Sequence, residues 1–298
     1  MAKRRNWLFL LFITLPLLLS AQKIDKKDLL EDLKYLSSDK LAGRKSLTQE
    51  SLMAREYIKQ RFDSLGLTSQ YTDFTQFFSL KGSGEKPGKA ANIIGFIPGQ
   101  ESSQIIVITA HYDHLGREGD KIFYGADDNA SGTAGLLALA AYFSTNKPKH
   151  SLMFAAVDAE ELGLLGARAL VKDFPFPLEN VLLNINLDMI SRSSKNELYA
   201  SGTRHYPQFL PLLKESSKSA KINLQFGHDQ PGTGSDDWTN SSDHAAFHEK
   251  GIPFIYFGVE DHQDYHQSTD TYDNIDPEFF YNAMELIVRA VETLDENL

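Results

Sequence analysis

Apolar positions along this chain follow two spacings that take turns. Leu29, Leu30, Leu33 and Leu36 lie three and four apart and predict a short amphipathic helix over 28–36. Leu52, Met53, Tyr57, Ile58, Phe62 and Leu65 mark one face of a second helix over 49–65, which Gly66 stops. Both stripes read as packing faces. Residues 67–80 read as extended and 81–89, with three glycines and Pro87, as a loop without the spacing of a phosphate-binding loop. Short apolar runs at 92–97, 104–110, 152–157, 181–187 and 253–257 then read as buried strands, with 198–200 a shorter one. Helical spacing returns at 132–143, 163–172, 207–218 and 277–294. Pro98-Gly99 reads as a turn that joins the first two of those strands. Strand alternating with helix implies an α/β domain whose sheet is largely parallel and covered on both faces.

The polar residues that end these runs are the chemically informative ones. The run at 105–110 ends in His111-Tyr112-Asp113-His114, and Asp127-Asp128-Asn129-Ala130-Ser131-Gly132 comes next, at the head of a helix. The run at 152–157 ends at Asp158 and then Glu160-Glu161, and 181–187 ends at Asp188. The strand at 253–257 leads into a loop containing His262 and Tyr265-His266. Singly, such residues are ordinary: an Asp before a helix caps it, and an acidic first turn is solvated. Together they sit where the carboxyl ends of parallel strands converge on one crevice. Carboxylates gathered there repel one another unless cations hold them, and imidazole with carboxylate suits zinc.

Composition narrows the remaining classes. The chain has 298 residues, 42% hydrophobic and 23% charged, with a formal charge of −10, and it shows no internal repeat or low-complexity tract. Lys3-Arg4-Arg5, the apolar stretch from Trp7 to Leu19 and Ser20-Ala21 have the pattern of a signal peptide, residues 1–21. About 13 apolar residues fall short of the roughly 20 that a membrane span needs. Its removal leaves a domain at 22–298 with charge −13, because three basic residues go with it. Such an acidic domain argues against nucleic acid and against anionic membrane as partners. The expected location is a periplasm or the medium, without stable membrane insertion. Cys is absent, which excludes a thiol nucleophile, disulfides and a Cys-rich zinc site.

In order and spacing, His111-Tyr112-Asp113, Asp127 to Gly132, Glu160-Glu161-Leu162-Gly163, Asn186-Leu187-Asp188-Met189 and Tyr265-His266 before Thr269-Asp270-Thr271 resemble the five motifs of the co-catalytic dinuclear-zinc exopeptidases, which include bacterial secreted leucyl aminopeptidases. The resemblance extends to Tyr35 through Arg44, similar to the family's N-terminal helix and turn. It implies a single-domain three-layer αβα sandwich with a mixed, mostly parallel sheet, and two Zn2+ per chain. It further implies that Asp128 bridges the ions, that His111 and Asp188 complete one site, and that Glu161 and His266 complete the other. Glu160 becomes the general base toward a shared water, and Asp113 the residue behind His111. A cis peptide between Asp128 and Asn129 belongs to the same pattern.

The chemistry of each position is compatible with its role. A carboxylate can bridge metals about 3.5–4 Å apart. Asp113, two residues after His111, can accept the second imidazole N–H. The function so implied is a secreted zinc-dependent aminopeptidase acting on peptides. A glutaminyl-peptide cyclotransferase-like enzyme and a non-catalytic binding ectodomain are the alternatives. Tyr265 is a candidate donor to a developing oxyanion. Trp238 and Phe247 are candidates to face an apolar substrate side chain, and Asp243 to steady its loop or meet a free amine. His262 is the second choice for the last ligand, and His114 receives no role. Oligomeric state stays open, with a monomer as the default.

Overall fold

A computed structural model describes residues 23–80 and 88–298, so the leader pattern and most of the loop expected at 81–89 lie outside the described residues. The two leading stripes form α1 (Lys26–Leu36) and α2 (Gln49–Ser64). The side chains of Asp25 and Thr48 accept backbone N–H groups of their first turns, which those turns cannot satisfy internally. Then come β1 (Thr75–Leu80), β2 (Gly88–Ile97), β3 (Glu101–His111), a small hairpin of β4 (Gly116–Glu118) and β5 (Lys121–Phe123), and α3 (Gly132–Thr145). Next are β6 (His150–Val157), α4 (Leu165–Lys172), β7 (Val181–Leu187), β8 (Glu197–Ser201) and α5 (Leu210–Ser216). The chain closes with β9 (Asn223–Phe226), α6 (His244–His248), β10 (Phe254–Gly258) and α7 (Pro277–Asn297). Among the described residues no helix is long and apolar enough to cross a membrane.

Eight strands form one sheet in the order β1-β2-β6-β3-β7-β10-β8-β9. The central four, β6-β3-β7-β10, are mutually parallel. Antiparallel pairs join β1 to β2, β2 to β6 and β10 to β8, so the sheet is mixed. Alternation along β3 divides the core. Ile106, Ile108 and Ala110 pack with α1, α2, α3, α5 and α7, whereas Ile105 and Val107 pack with α4 and α6. This is the three-layer αβα arrangement.

The turn at Pro98-Gly99 joins β2 to β3 as the sequence predicts, but the two strands do not pair, because β6 lies between them. The connection passes over the start of β6. Gly99 N–H donates to Ser151 Oγ at 3.1 Å, and Gln100 and Glu101 donate to the carbonyls of Pro148 and Lys149. A Cβ at Gly99 would lie 2.3 Å from the His150 carbonyl carbon, so only glycine permits this crossing. Strand β9, half-exposed and without alternation, carries no pattern from which it could be read.

One polar residue fixes the edge where the ligand-type residues gather. Arg44 is fully buried and donates to four carbonyls: Tyr112 at 2.8 Å, Leu36 at 2.5 Å, Tyr124 at 2.8 Å and Gly125 at 2.9 Å. It therefore ties the end of α1 to the end of β3 and to the turn before Asp127.

Ile106, wholly buried in the central strand, tests the core. Ile106→Ala should cost about 2–5 kcal/mol by lost transfer energy and residual cavity. Urea unfolding should show a lower midpoint at unchanged slope.

Candidate metal centre

Each ligand-type residue sits at the carboxyl edge of the parallel strands. His111 ends β3, Asp188 comes directly after β7, Glu160 and Glu161 lie just beyond β6, Asp128 precedes α3, and His266 lies in the loop after β10. The turn carrying Asp128 is held from two directions. The backbone N–H groups of Asp127 and Asp128 donate to the Asp270 carboxylate at 3.0–3.1 Å. Asn129 donates to the Leu187 carbonyl at 2.9 Å and accepts from Gly132 and Met189 N–H, which binds the turn to the end of β7. The Asp128–Asn129 peptide is cis.

The side chains converge in a specific pattern. His111 Nε2 lies 3.4 Å from Asp128 Oδ1 and 3.4 Å from Asp188 Oδ1. His266 Nε2 lies 3.1 Å from Asp128 Oδ2 and 3.5 Å from Glu161 Oε2. The two oxygens of Asp128 thus face two different histidines. Ligand atoms about 2.0–2.2 Å from one tetrahedral zinc lie roughly 3.3–3.5 Å apart, so the three longer spacings suit a shared ion, while the 3.1 Å between His266 and Asp128 is also a hydrogen-bond length. Asp188 Oδ1 is buried with no hydrogen-bond partner among the described residues, while Oδ2 accepts from Ser242 Oγ at 2.7 Å. An orphaned carboxylate oxygen aimed at an imidazole nitrogen fits a cation between them. The donor set, nitrogen and oxygen without sulfur, fits zinc.

His114 joins the centre although its sequence context assigned it nothing. Its Nδ1 lies 2.7 Å from Glu161 Oε1 and 3.7 Å from Asp128 Oδ2. His111, Asp128 and Asp188 are close enough to hold one ion, and so are His114, Asp128 and Glu161. His262 lies apart, bonded to Asp127 Oδ2 at 3.0 Å, and Asp127 Oδ1 accepts from Ser191. Neither His262 nor Asp127 faces the other ligand-type residues.

Behind His111 the arrangement differs in one atom from the sequence expectation. Nδ1 stands 3.2 Å from the Asp113 backbone carbonyl and 3.7 Å from its carboxylate. The carboxylate accepts instead from Glu160 N–H at 3.1 Å and Ser46 Oγ at 3.3 Å, and so positions the strand end that bears Glu160. The carbonyl still fixes the tautomer that leaves Nε2 free. Asp158 turns away to Ser46, Tyr112 and Ala91.

A cleft of about 430 Å3 opens over these residues. Asp128, Glu160, Glu161, Asp188 and Asp261 line it, with no Lys or Arg among its described lining residues. Leu164, Met189, Trp238, Tyr256 and Val259 supply apolar wall, and Tyr265 borders it, stacked on His266 at 3.9 Å. Phe247, the other aromatic candidate, does not reach the cleft. It is fully buried in the core under α4 and α6, because α6 turns that face toward the sheet. Asp243 is likewise fully buried, with both oxygens unpartnered among the described residues, so it meets no free amine from solvent.

Protonation reflects this crowding. Burial pushes Glu160 well above the usual carboxylate range; His111 opposes the shift, and Asp243, Asp188 and Glu161 add to it. Burial also raises Asp128 and Glu161. Asp243 is pushed up to about 8, by burial first and by Asp188 and Asp113 next, and Asp270 to about 7, by burial and then Asp127. Arg44 is lowered to about 10 by burial, while Asp128, Asp270, Asp113 and Glu161 hold it up. A cation in the centre keeps such carboxylates ionised.

Residues 92–291 match the model of peptidase family M28. The chain is similar to aminopeptidase YwaD of Bacillus subtilis (strain 168), 33% identical over 199 residues, 63% of this chain and 40% of that protein. It is also similar to a probable zinc metalloprotease of Pyrenophora tritici-repentis (strain Pt-1C-BFP), 27% identical over 252 residues, 72% of this chain and 57% of that one. The chain thus spans less than two thirds of either relative. In fold it matches the aminopeptidase from Aneurinibacillus sp. strain AM-1 (TM-score 0.72, 18% identity, 90% of this chain and 93% of that one). It matches equally the Bacteroides thetaiotaomicron glutaminyl cyclase bound to N-acetylhistamine (TM-score 0.72, 18% identity, 91% and 99%).

The protonation pattern predicts how the chelator-treated protein responds to pH. Asp243 and Asp270 keep protons in the folded chain at pH values where the unfolded chain has lost them. His114 and His244, lowered to about 4 chiefly by burial, are neutral in both states above their unfolded range. Between about pH 7 and 8.5 the folded state therefore binds more protons, and stability falls as pH rises. Thermal melting in chelator should show a falling midpoint across that window, and added zinc should flatten it.

Proposed function

The chain belongs to peptidase family M28, and on that footing we propose that it is a zinc-dependent aminopeptidase that hydrolyses the first peptide bond of its substrates. The observation that carries the reading is the division of Asp128, one oxygen toward His111 and the other toward His266. His111, Asp128 and Asp188 would hold one zinc, and Asp128, Glu161 and His266 a second. The protein family and the name of the Pyrenophora relative support the choice of metal.

Bound in this way, the zinc pair would lower the pKa of water and polarise the scissile carbonyl. The residues of the chain supply the rest. Glu160 lines the cleft beside both sets of ligands and takes the proton from the attacking water. It then delivers that proton to the leaving amine. Asp113 accepts the Glu160 N–H and so fixes the base relative to His111. Tyr265, at the cleft's rim, is the hydroxyl placed to donate to the developing oxyanion. The lining favours an amino terminus over a carboxy terminus. With the zinc pair balancing Asp128, Glu160, Glu161 and Asp188, Asp261 would remain as the uncompensated charge of the lining, which holds no Lys or Arg to pair with a substrate carboxylate. Trp238, Val259 and Met189 would face the first side chain, favouring an apolar one.

Zinc content and product release test the reading together. The wild-type protein should carry two zinc ions and free an amino acid from the amino end of a short peptide. Glu160→Gln should keep both ions and lose at least about 10²- to 10⁴-fold in kcat. Asp128→Asn should lose zinc as well as turnover. Cyclisation of an N-terminal glutamine with ammonia release, in place of hydrolysis, would sink the peptidase assignment.

Export is part of the same proposal, supported by the basic and apolar pattern of residues 3–21. N-terminal sequencing of protein recovered outside the cytoplasm should begin at Gln22. A start at residue 1 in a membrane fraction would indicate an uncleaved anchor.

A further inference from the structure

We propose that His114 is a positioning residue for Glu161: its Nδ1–H holds one carboxylate oxygen and thereby leaves the other free for the second ion. The inference rests on the zinc reading of the centre and concerns a residue outside the five ligands. Two distances separate the roles of the histidines around Glu161. Oε2 lies 3.5 Å from His266 Nε2, a spacing that two ligands of one tetrahedral ion adopt. Oε1 lies 2.7 Å from His114 Nδ1, the length of a charge-assisted hydrogen bond, too short for both atoms to sit on one such ion. The two oxygens of Glu161 are thus assigned to different partners.

The surroundings of the ring fix which nitrogen carries the proton. His114 is fully buried, and its Nε2 has no hydrogen-bond partner among the described residues. A neutral imidazole in that setting places its proton on Nδ1, where an acceptor stands. Gly125, in the left-handed region at φ 58°, makes room for the ring, since a Cβ there would lie 2.5 Å from His114 Cγ. On the other side of the centre Asp188 is divided in the same manner. Its Oδ2 accepts from Ser242 Oγ at 2.7 Å, and its Oδ1 faces His111 at 3.4 Å. Each terminal carboxylate is therefore clamped at one oxygen by a protein donor, Ser242 on one side and His114 on the other.

Zinc titration of the full chain against a chromophoric chelator, fitted to two sites, tests this. The wild type is measured first. Two sites establish the premise, and fewer than two would overturn the zinc reading and this proposal together. His114→Phe and His114→Leu, each checked for folding by thermal melting, should weaken one zinc about 10- to 100-fold and leave the other unchanged. His114→Asn, whose amide N–H stands near the place of Nδ1, should recover much of that loss. His266→Ala should abolish the weakened site. Unchanged affinities in both apolar variants would overturn the proposal. So would loss of the second ion in every His114 variant with its retention in His266→Ala, which would make His114 the ligand.

Discussion

The structure turns on the cost of collecting carboxylates where water is scarce. Asp113, Asp128, Asp188, Asp243 and Asp270 are all buried at one edge of the sheet, with Glu160 and Glu161 half-buried beside them. Such groups either take up protons or find cations. Arg44 answers part of that charge from inside. Its guanidinium spends its hydrogen bonds on four backbone carbonyls, so its charge stays available to Asp128, Asp270, Asp113 and Glu161 without forming a direct ion pair with any of them. Arg44 alone does not balance so many acids; His111 and His266, raised against burial by the carboxylates they face, offset more of the charge, and the orphaned oxygen of Asp188 is where a metal cation would fit.

The fold makes that concentration possible by registering its strands. His111 pairs with Val157, directly before Asp158, and Leu187 pairs with Phe257, directly before Asp188 on its own strand. The parallel strands thus end at one level, and the residues just beyond each strand end meet in one place. A polar thread crosses the apolar sheet to hold that level. Thr109 Oγ1 donates to Asn186 Oδ1 at 2.6 Å, Asn186 Nδ2 to Ser242 Oγ at 2.8 Å, and Ser242 Oγ to Asp188 Oδ2 at 2.7 Å. Every member is buried, so each bond is strong and a missing one would leave a costly unpaired group.

Much of this was legible in the chain's own order of residues. His111, Glu160, Glu161 and Asp188 are polar stops at the ends of apolar runs, and a run and its stop are local features of a sequence. Strand order is not local. Nothing near Pro98-Gly99 announces that a strand formed fifty residues later will be inserted beside it, because the bonds that favour the insertion come from 148–151. Hydrogen-bond partners share that limit. His114, Ser242 and Arg44 act through atoms distant in sequence, and Asp113 uses its carbonyl rather than its carboxylate toward His111 because Glu160 N–H and Ser46 occupy the latter. Phe247 looked like a pocket residue from its polar neighbours; the face of a five-residue helix decided otherwise.

The division of the carboxylates ties these features to catalysis. Asp128, Asp188 and Glu161 present six oxygens. In the proposed centre Asp128 gives one to each ion, and Asp188 and Glu161 give one apiece, with their second oxygens held by Ser242 and His114. Adding His111 and His266, each ion has three protein ligands, which leaves a tetrahedral zinc one position for water or substrate. A terminal carboxylate released from its clamp could turn both oxygens to the metal and close that position. In the proposed centre the donors behind the ligands would therefore do more than orient them: they would keep the coordination number low enough for chemistry, through two hydrogen bonds whose lengths match at 2.7 Å.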